Sequence, residues 1–121
     1  MDAGKIVTEF CAAWGRSELE TIVDAFSEDA VYHNIPMQPC NGKEEIRQFI
    51  AGMLGGMVSS IEFEIRLQIV DGLKVMNERV DTLVMGERTI ALPVCGVFEL
   101  NADGKIQAWR DYFDAAQFAG N

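Results

Sequence analysis

Ile61-Glu62-Phe63-Glu64-Ile65-Arg66-Leu67-Gln68-Ile69-Val70-Asp71-Gly72 decides how this chain folds, because here the apolar residues change from helical spacing to strict alternation. Alternate residues of a strand share a face, so Ile61, Phe63, Ile65, Leu67 and Ile69 are expected to point one way and the polar residues the other. Asp71-Gly72 is a hairpin signal, since glycine takes the positive φ that tight turns require. Leu73 to Met85 should therefore return antiparallel beside it. In that returning strand Asn77, Arg79 and Asp81 fall on the face that also carries Val75, Leu83 and Met85. Desolvating a charged group costs several kcal/mol per ion. A cation and an anion among apolar neighbours therefore need a functional reason.

Downstream, Gly86-Glu87 turns the chain into Thr89 to Leu100, a run so apolar that it reads as a strand covered on both faces. Pro93 donates no backbone hydrogen bond and is expected at a bulge or an unpaired position. After a turn at Asp103-Gly104, the last strand runs from Ile106 to Asp114, with Trp109, Asp111 and Phe113 on one face and Ile106, Ala108, Arg110 and Tyr112 on the other.

Upstream, the spacing is helical. Lys43 to Leu54 brings Ile46, Phe49, Ile50, Met53 and Leu54 to one side, with Glu44 and Glu45 in the first turn, where the helix dipole favours acids, and Gly55-Gly56 as the stop. A first helix spans Lys5 to Trp14. Ser17-Glu18-Leu19-Glu20 has the form of a capping box and predicts a second helix ending near Ser27. Between these helices and the third, Ala30 to Asn34 reads as a short extended segment with Tyr32 and Asn34 on one face and Val31 and His33 on the other. Pro36 and Pro39 mark the loop after it. The predicted fold class is α+β: a curved mixed or antiparallel sheet and about three N-terminal helices, forming a cone around a deep apolar pocket.

The 121 residues are expected to form a single domain. A net charge of −9, with 19 acidic residues against 10 lysines and arginines and no basic cluster, argues against nucleic acid and anionic membranes as partners. No apolar run approaches the ~20 residues that span a bilayer, and the N-terminus lacks the pattern of a signal peptide. A soluble, cytoplasmic protein is expected. Cys11, Cys40 and Cys95 show no paired short spacing and read as small buried apolar side chains, with no metal site implied.

Taken together, the inward faces collect Arg79, Asp81, Asp111, Tyr32, Asn34 and Trp109. Two aspartates and one guanidinium sum to −1, and burial disfavours net charge, so the cluster should hold a proton near neutral pH, one carboxyl serving as acid and the other as base. A guanidinium between them can hold both by paired hydrogen bonds. Such a device suits hydrolysis of a small strained electrophile, with Tyr32 and Asn34 orienting water and no metal required.

Tyr32-His33-Asn34-Ile35-Pro36, Glu78-Arg79-Val80-Asp81, Gly96-Val97-Phe98 and Trp109-Arg110-Asp111-Tyr112-Phe113-Asp114 resemble, in order and in register from about Lys5 to Phe118, the motifs of the limonene epoxide hydrolase family, within the nuclear-transport-factor-like and polyketide-cyclase-like superfamily. The resemblance implies one-step, cofactor-independent hydrolysis of an epoxide to a vicinal diol. It implies Asp111 as the base, Tyr32 and Asn34 as holders of the water, Asp81 as the acid and Arg79 as the bridge. It also implies a homodimer. Size is a departure from the family pattern: the sequence starts close to the first helix and stops soon after Phe118, so any terminal segment that helps close the pocket in relatives is expected to be missing. Met37, Leu54, Met57, Leu83, Met85, Leu92, Phe113 and Trp109 are the expected substrate-binding wall and favour a lipophilic epoxide.

Two other readings compete. A ketosteroid-isomerase-like or polyketide-cyclase-like enzyme would use a carboxylate to move a proton on an enolisable ring, but Arg79 beside Asp81 would weaken such a base. A non-catalytic protein binding a lipophilic ligand needs neither aspartate, and both are present.

Overall fold

Asp2 starts the first helix, α1 (Ala3–Gly15), two residues earlier than the apolar spacing indicates, because its carboxylate accepts the Lys5 backbone N–H at 3.0 Å. The structure is a computed structural model and describes residues 1–35 and 37–119. Val7, Phe10, Cys11 and Trp14 form the buried stripe of α1. The next helix, α2 (Leu19–Asp24), does not use the expected capping box: no side chain caps it, and Ser17, at φ 53°, is the left-handed turn between the two helices. It ends before Ser27 because the chain is already extended from Phe26, in β1 (Phe26–Ile35). Short β2 (Cys40–Asn41) pairs back onto β1, and the expectation for Pro36 lies outside the described residues. Helix α3 (Lys43–Gly52) passes into a π-helical turn, Met53–Met57, so the helical path runs through Gly55-Gly56 instead of stopping there.

Four long strands follow: β3 (Ser60–Asp71), β4 (Lys74–Met85), β5 (Arg88–Leu100) and β6 (Ile106–Tyr112), with a closing 3₁₀ segment at Ala115–Ala119. The described strands form one mixed sheet in the order β2-β1-β6-β5-β4-β3, in which β1 lies parallel to β6 and all other neighbours are antiparallel. Helix α1 packs on β3 and α3 on β1, which leaves the opposite face of the sheet uncovered. The α+β class is as expected.

Three expectations about faces are corrected by register. A bulge between Ile65 and Leu67 reverses the alternation of β3, so Leu67 and Ile69, read as inward, are exposed at 56% and 58%, while Gln68 turns in opposite Asn77. A second irregularity, opposite Glu99/Leu100, buries Ile106 on the same side as Trp109 and Asp111. Strand β5 is covered on one face only: Ile90, Leu92, Val94, Phe98 and Leu100 are buried, and Ala91, Pro93 and Cys95 are exposed. Cys95 is therefore not a core residue, whereas Cys11 is buried and Cys40 partly so. Pro93 sits in unbroken register with Val80, before pairing with β6 begins at Cys95, so its missing N–H can face the side with no neighbouring strand. No helix among the described residues is long and apolar enough to cross a membrane.

Candidate active site

Strand register draws one transverse row across the sheet: Asn34 pairs with Asp111, Asp111 with Gly96, Gly96 with Asn77, and Asn77 with Gln68. Gly96 is the gap in this row. A Cβ there would overlap Arg79 Nη1 and come within 2.8 Å of Asp111 Oδ1, so only glycine leaves room for the guanidinium to reach across β5. Phe63 covers the opposite side, its ring centroid 4.5 Å from Arg79 Cζ.

All five N–H bonds of Arg79 are used. Nε donates to Asp81 Oδ1 at 3.0 Å, and Nη2 to Asp81 Oδ2 and Asp111 Oδ2, both at 2.8 Å. Nη1 donates to Asp111 Oδ1 at 3.2 Å and to Asn77 Oδ1 at 3.1 Å. Trp109 Nε1 adds a bond to Asp111 Oδ1 at 2.6 Å. Asp111 therefore accepts three donors and Asp81 two, all fully or nearly fully buried.

Burial sets the protonation. It pushes Asp81 up to about 6, against the hydrogen bonds and charge of Arg79, with the Asp111 charge adding to the rise. Asp111 is also raised by burial, and here the Arg79 charge, the Arg79 hydrogen bonds and the Trp109 hydrogen bond all pull the other way. Burial opposes the charge on Arg79, but the two carboxylates outweigh it and raise its pKa. The Tyr32 phenol is driven well above its ordinary value, first by burial and then by the Asp111 charge, so it stays protonated. Its hydroxyl donates to Asn34 Oδ1 at 3.3 Å.

A cavity of about 320 Å³ opens onto this cluster, with Asp81, Asp111, Tyr32 and Asn34 on its wall. Of the expected apolar wall, Met37, Met57, Leu83, Leu92 and Phe113 line it. Leu54, Met85 and Trp109 do not. Leu54 and Met85 pack against the core, and Trp109 is fully buried behind Tyr32, whose ring stacks on it at 4.2 Å, with Phe98 stacked on the indole at 5.2 Å. Trp109 thus holds Asp111 rather than meeting a ligand. Arg79 likewise supports the two carboxylates without lining the cavity.

Sequence reasoning missed Trp14, Phe49, Met53, Ile61, Phe63, Val94 and Phe118, all on the wall. The first six sit on inward positions of their own helices and strands and could have been found from periodicity. Phe118 lies on the 3₁₀ segment, where no periodicity exists to point it inward. His33 bonds through Nε2 to the Met37 carbonyl at 2.7 Å, in keeping with a structural role. Trp14 Nε1 is buried without a partner among the described residues.

Helices on one face of a mixed sheet, with two carboxylates bridged by a guanidinium on the wall of an apolar cavity, give an α+β protein of nuclear-transport-factor-like fold. Solved structures agree on the fold: a protein of ketosteroid-isomerase-like fold from Catenulispora acidiphila, 21% identical, superposes with a TM-score of 0.83 over 93% of this chain and 87% of that one. Within that class the chain belongs to the limonene-1,2-epoxide hydrolase family, whose catalytic domain it matches over residues 1–120. It is 34% identical to the epoxide hydrolase EphG of Mycobacterium tuberculosis over 110 residues, 89% of this chain and 70% of that protein. The structure of an epoxide hydrolase of this type from M. tuberculosis, also 34% identical, superposes with a TM-score of 0.86 over 98% of this chain and 87% of that one. The chain is an epoxide hydrolase of the limonene epoxide hydrolase type.

Proposed function

We propose that the chain hydrolyses a lipophilic, terpene-like or cyclic epoxide to a vicinal diol in one step, without cofactor. The observation that carries this reading is the unequal support of the two carboxyls: Arg79 gives two N–H bonds to each, and Trp109 adds a third donor to Asp111 alone, which favours the ionised form there and leaves the shared proton to Asp81. Asp111 is the base and Asp81 the acid. A water between Asp111, Tyr32 and Asn34 gives one hydrogen to Asp111, points the other at the phenol oxygen and accepts the Asn34 amide N–H. One lone pair then remains for the epoxide carbon. As the carbon–oxygen bond to water forms, the ring C–O bond breaks and Asp81 protonates the leaving oxygen. Asp111 ends protonated and Asp81 ionised, and transfer of one proton back restores the pair. Apolar residues such as Phe49, Leu83, Val94 and Phe113 favour a hydrocarbon skeleton around the ring.

The reading includes a cytoplasmic homodimer, formed through the uncovered face of the sheet. Leu67, Ile69, Met76 and Tyr112 are exposed there beside Cys95 and Pro93, a contiguous apolar surface across four strands.

Assay of a panel of terpene, cyclohexene, styrene and steroid epoxides with chelator present tests the activity, and Asp111→Asn tests the base. Diol formation from at least one substrate is expected, with kcat falling about 10²–10⁴-fold in the variant. In labelled water the label should enter the diol in a single turnover. Label appearing first in a carboxylate, or an unimpaired Asp111→Asn, would sink the mechanism.

A further inference from the structure

Arg79 bridges both aspartates, yet one of its N–H bonds goes to neither. Nη1 gives that bond to Asn77 Oδ1, and Asn77 Nδ2 donates in turn to Gln68 Oε1 at 3.1 Å. Gln68 Nε2 then donates to the Gly4 backbone carbonyl at 3.2 Å and to Thr8 Oγ1 at 3.1 Å, both on α1. We propose that Asn77 and Gln68 are positioning residues, a relay of two amides that carries the polarity of the Gly4 carbonyl to the guanidinium and so holds Arg79 square to Asp111.

The chemistry of amides requires this direction. A backbone carbonyl only accepts, so Gln68 must turn its NH₂ toward α1 and its oxygen toward β4. Asn77 must then present its NH₂ to Gln68 and its oxygen to Arg79. Flipping either amide would set donor against donor on one side and acceptor against acceptor on the other. Without the Asn77 oxygen, Nη1 would keep only Asp111 Oδ1, at 3.2 Å the longest of the four carboxylate contacts, and would leave one buried N–H unpaired.

Neither amide lines the cavity, so their effect on substrate passes through Arg79. The bulge in β3 brings Gln68 to this place, since unbroken alternation from Ile65 would turn it to the outer face. The titratable groups facing the cluster are Asp81 on β4, Asp111 on β6, Tyr32 on β1 and Cys11 on α1. Because Nη1 touches Asp111 and not Asp81, a loosened relay should act on the base.

The proposal rests on the hydrolase reading above for its kinetic test, and a second readout frees it from that reading. In the full chain, Gln68→Met keeps length and removes all three hydrogen bonds of the side chain, whereas Gln68→Glu keeps an acceptor for Asn77 Nδ2 and loses the donor to the Gly4 carbonyl. With an epoxide that the wild type turns over, Gln68→Met should lower kcat about 10-fold at unchanged KM. It should also move the acid limb of the kcat profile up by about half a pH unit, as Asp111 loses stabilisation of its charge. Gln68→Glu, which keeps the contact to Asn77 but not the anchor on Gly4, should lose less than Gln68→Met. A lowered melting temperature with kcat and acid limb unchanged in Gln68→Met would mean a merely structural role and overturn the proposal. Equal losses in the two variants would overturn the polarity argument. If Gln68→Met does not fold, Thr8→Val on the exposed side of α1 removes one anchor of the same amide and should shift the limb in the same direction by less, an unmoved limb counting against the relay. If the wild type turns over no epoxide, the hydrolase reading fails, and titration of ¹³C-labelled aspartate carboxyls still decides. Asp111 should titrate about half a unit higher in Gln68→Met than in wild type, and an identical titration would overturn the proposal.

Discussion

Gly96 shows how a missing side chain can organise a site. Its neighbours in the row, Asp111 and Asn77, belong to strands on either side, and the space above its Cα is filled by the Arg79 guanidinium. That guanidinium makes the two carboxyls one titrating unit, with a consequence for stability. Asp81 has a folded pKa of about 6, above its unfolded value of about 3.9, so between these values the folded state binds more protons than the unfolded one. Stability from this group is therefore full below about pH 4 and is lost as pH rises through 6, a change of about 3 kcal/mol, and Asp111, also raised, adds the same sign. Urea denaturation of wild type and Asp81→Asn across this range should show the wild-type stability falling relative to the variant. Parallel curves would contradict the raised pKa.

At the scale of elements, the bulge in β3 separates what alternation can say from what pairing decides. Arg66 is the extra residue: Ile65 pairs with Arg79 and Leu67 with Glu78, the next residue down. A chain lacking Arg66 keeps both pairings in a regular ladder, with Gln68 still facing Asn77. It should fold, with stability within about 2 kcal/mol of wild type by thermal denaturation, and retain activity. Collapse of the fold would mean that the bulge supplies twist that the sheet cannot do without. Helix α1 was legible because Val7, Phe10 and Trp14 recur at helical intervals. The start of α2 was misread because Ser17 matches a capping box in composition but adopts a left-handed backbone, which composition does not reveal.

For the whole molecule, the helices cover one face of the sheet and leave an apolar face outside. If a second copy covers that face, Ile69→Lys should convert a dimer to a monomer in sedimentation velocity, while changing the stability of the isolated chain by no more than about 0.5 kcal/mol, because Ile69 is already exposed there. A wild-type monomer, or a dimer undisturbed by the charge, would exclude this interface. The same substitution would have been expected to ruin the core if Ile69 pointed inward, as alternation alone suggested.

The sequence by itself determined the class of elements and their order, the presence of Arg79, Asp81, Asp111, Tyr32 and Asn34 on inward faces, and the family, because helical and strand periods are local properties and each motif is a short run of neighbouring residues. Only the tertiary structure decided which residues share the row through Gly96, that Gln68 faces in and Leu67 and Ile69 face out, and that Trp109 stands behind the wall while Phe118 forms part of it. Register, bulges and stacking depend on partners from other strands, and no period within one segment carries that information.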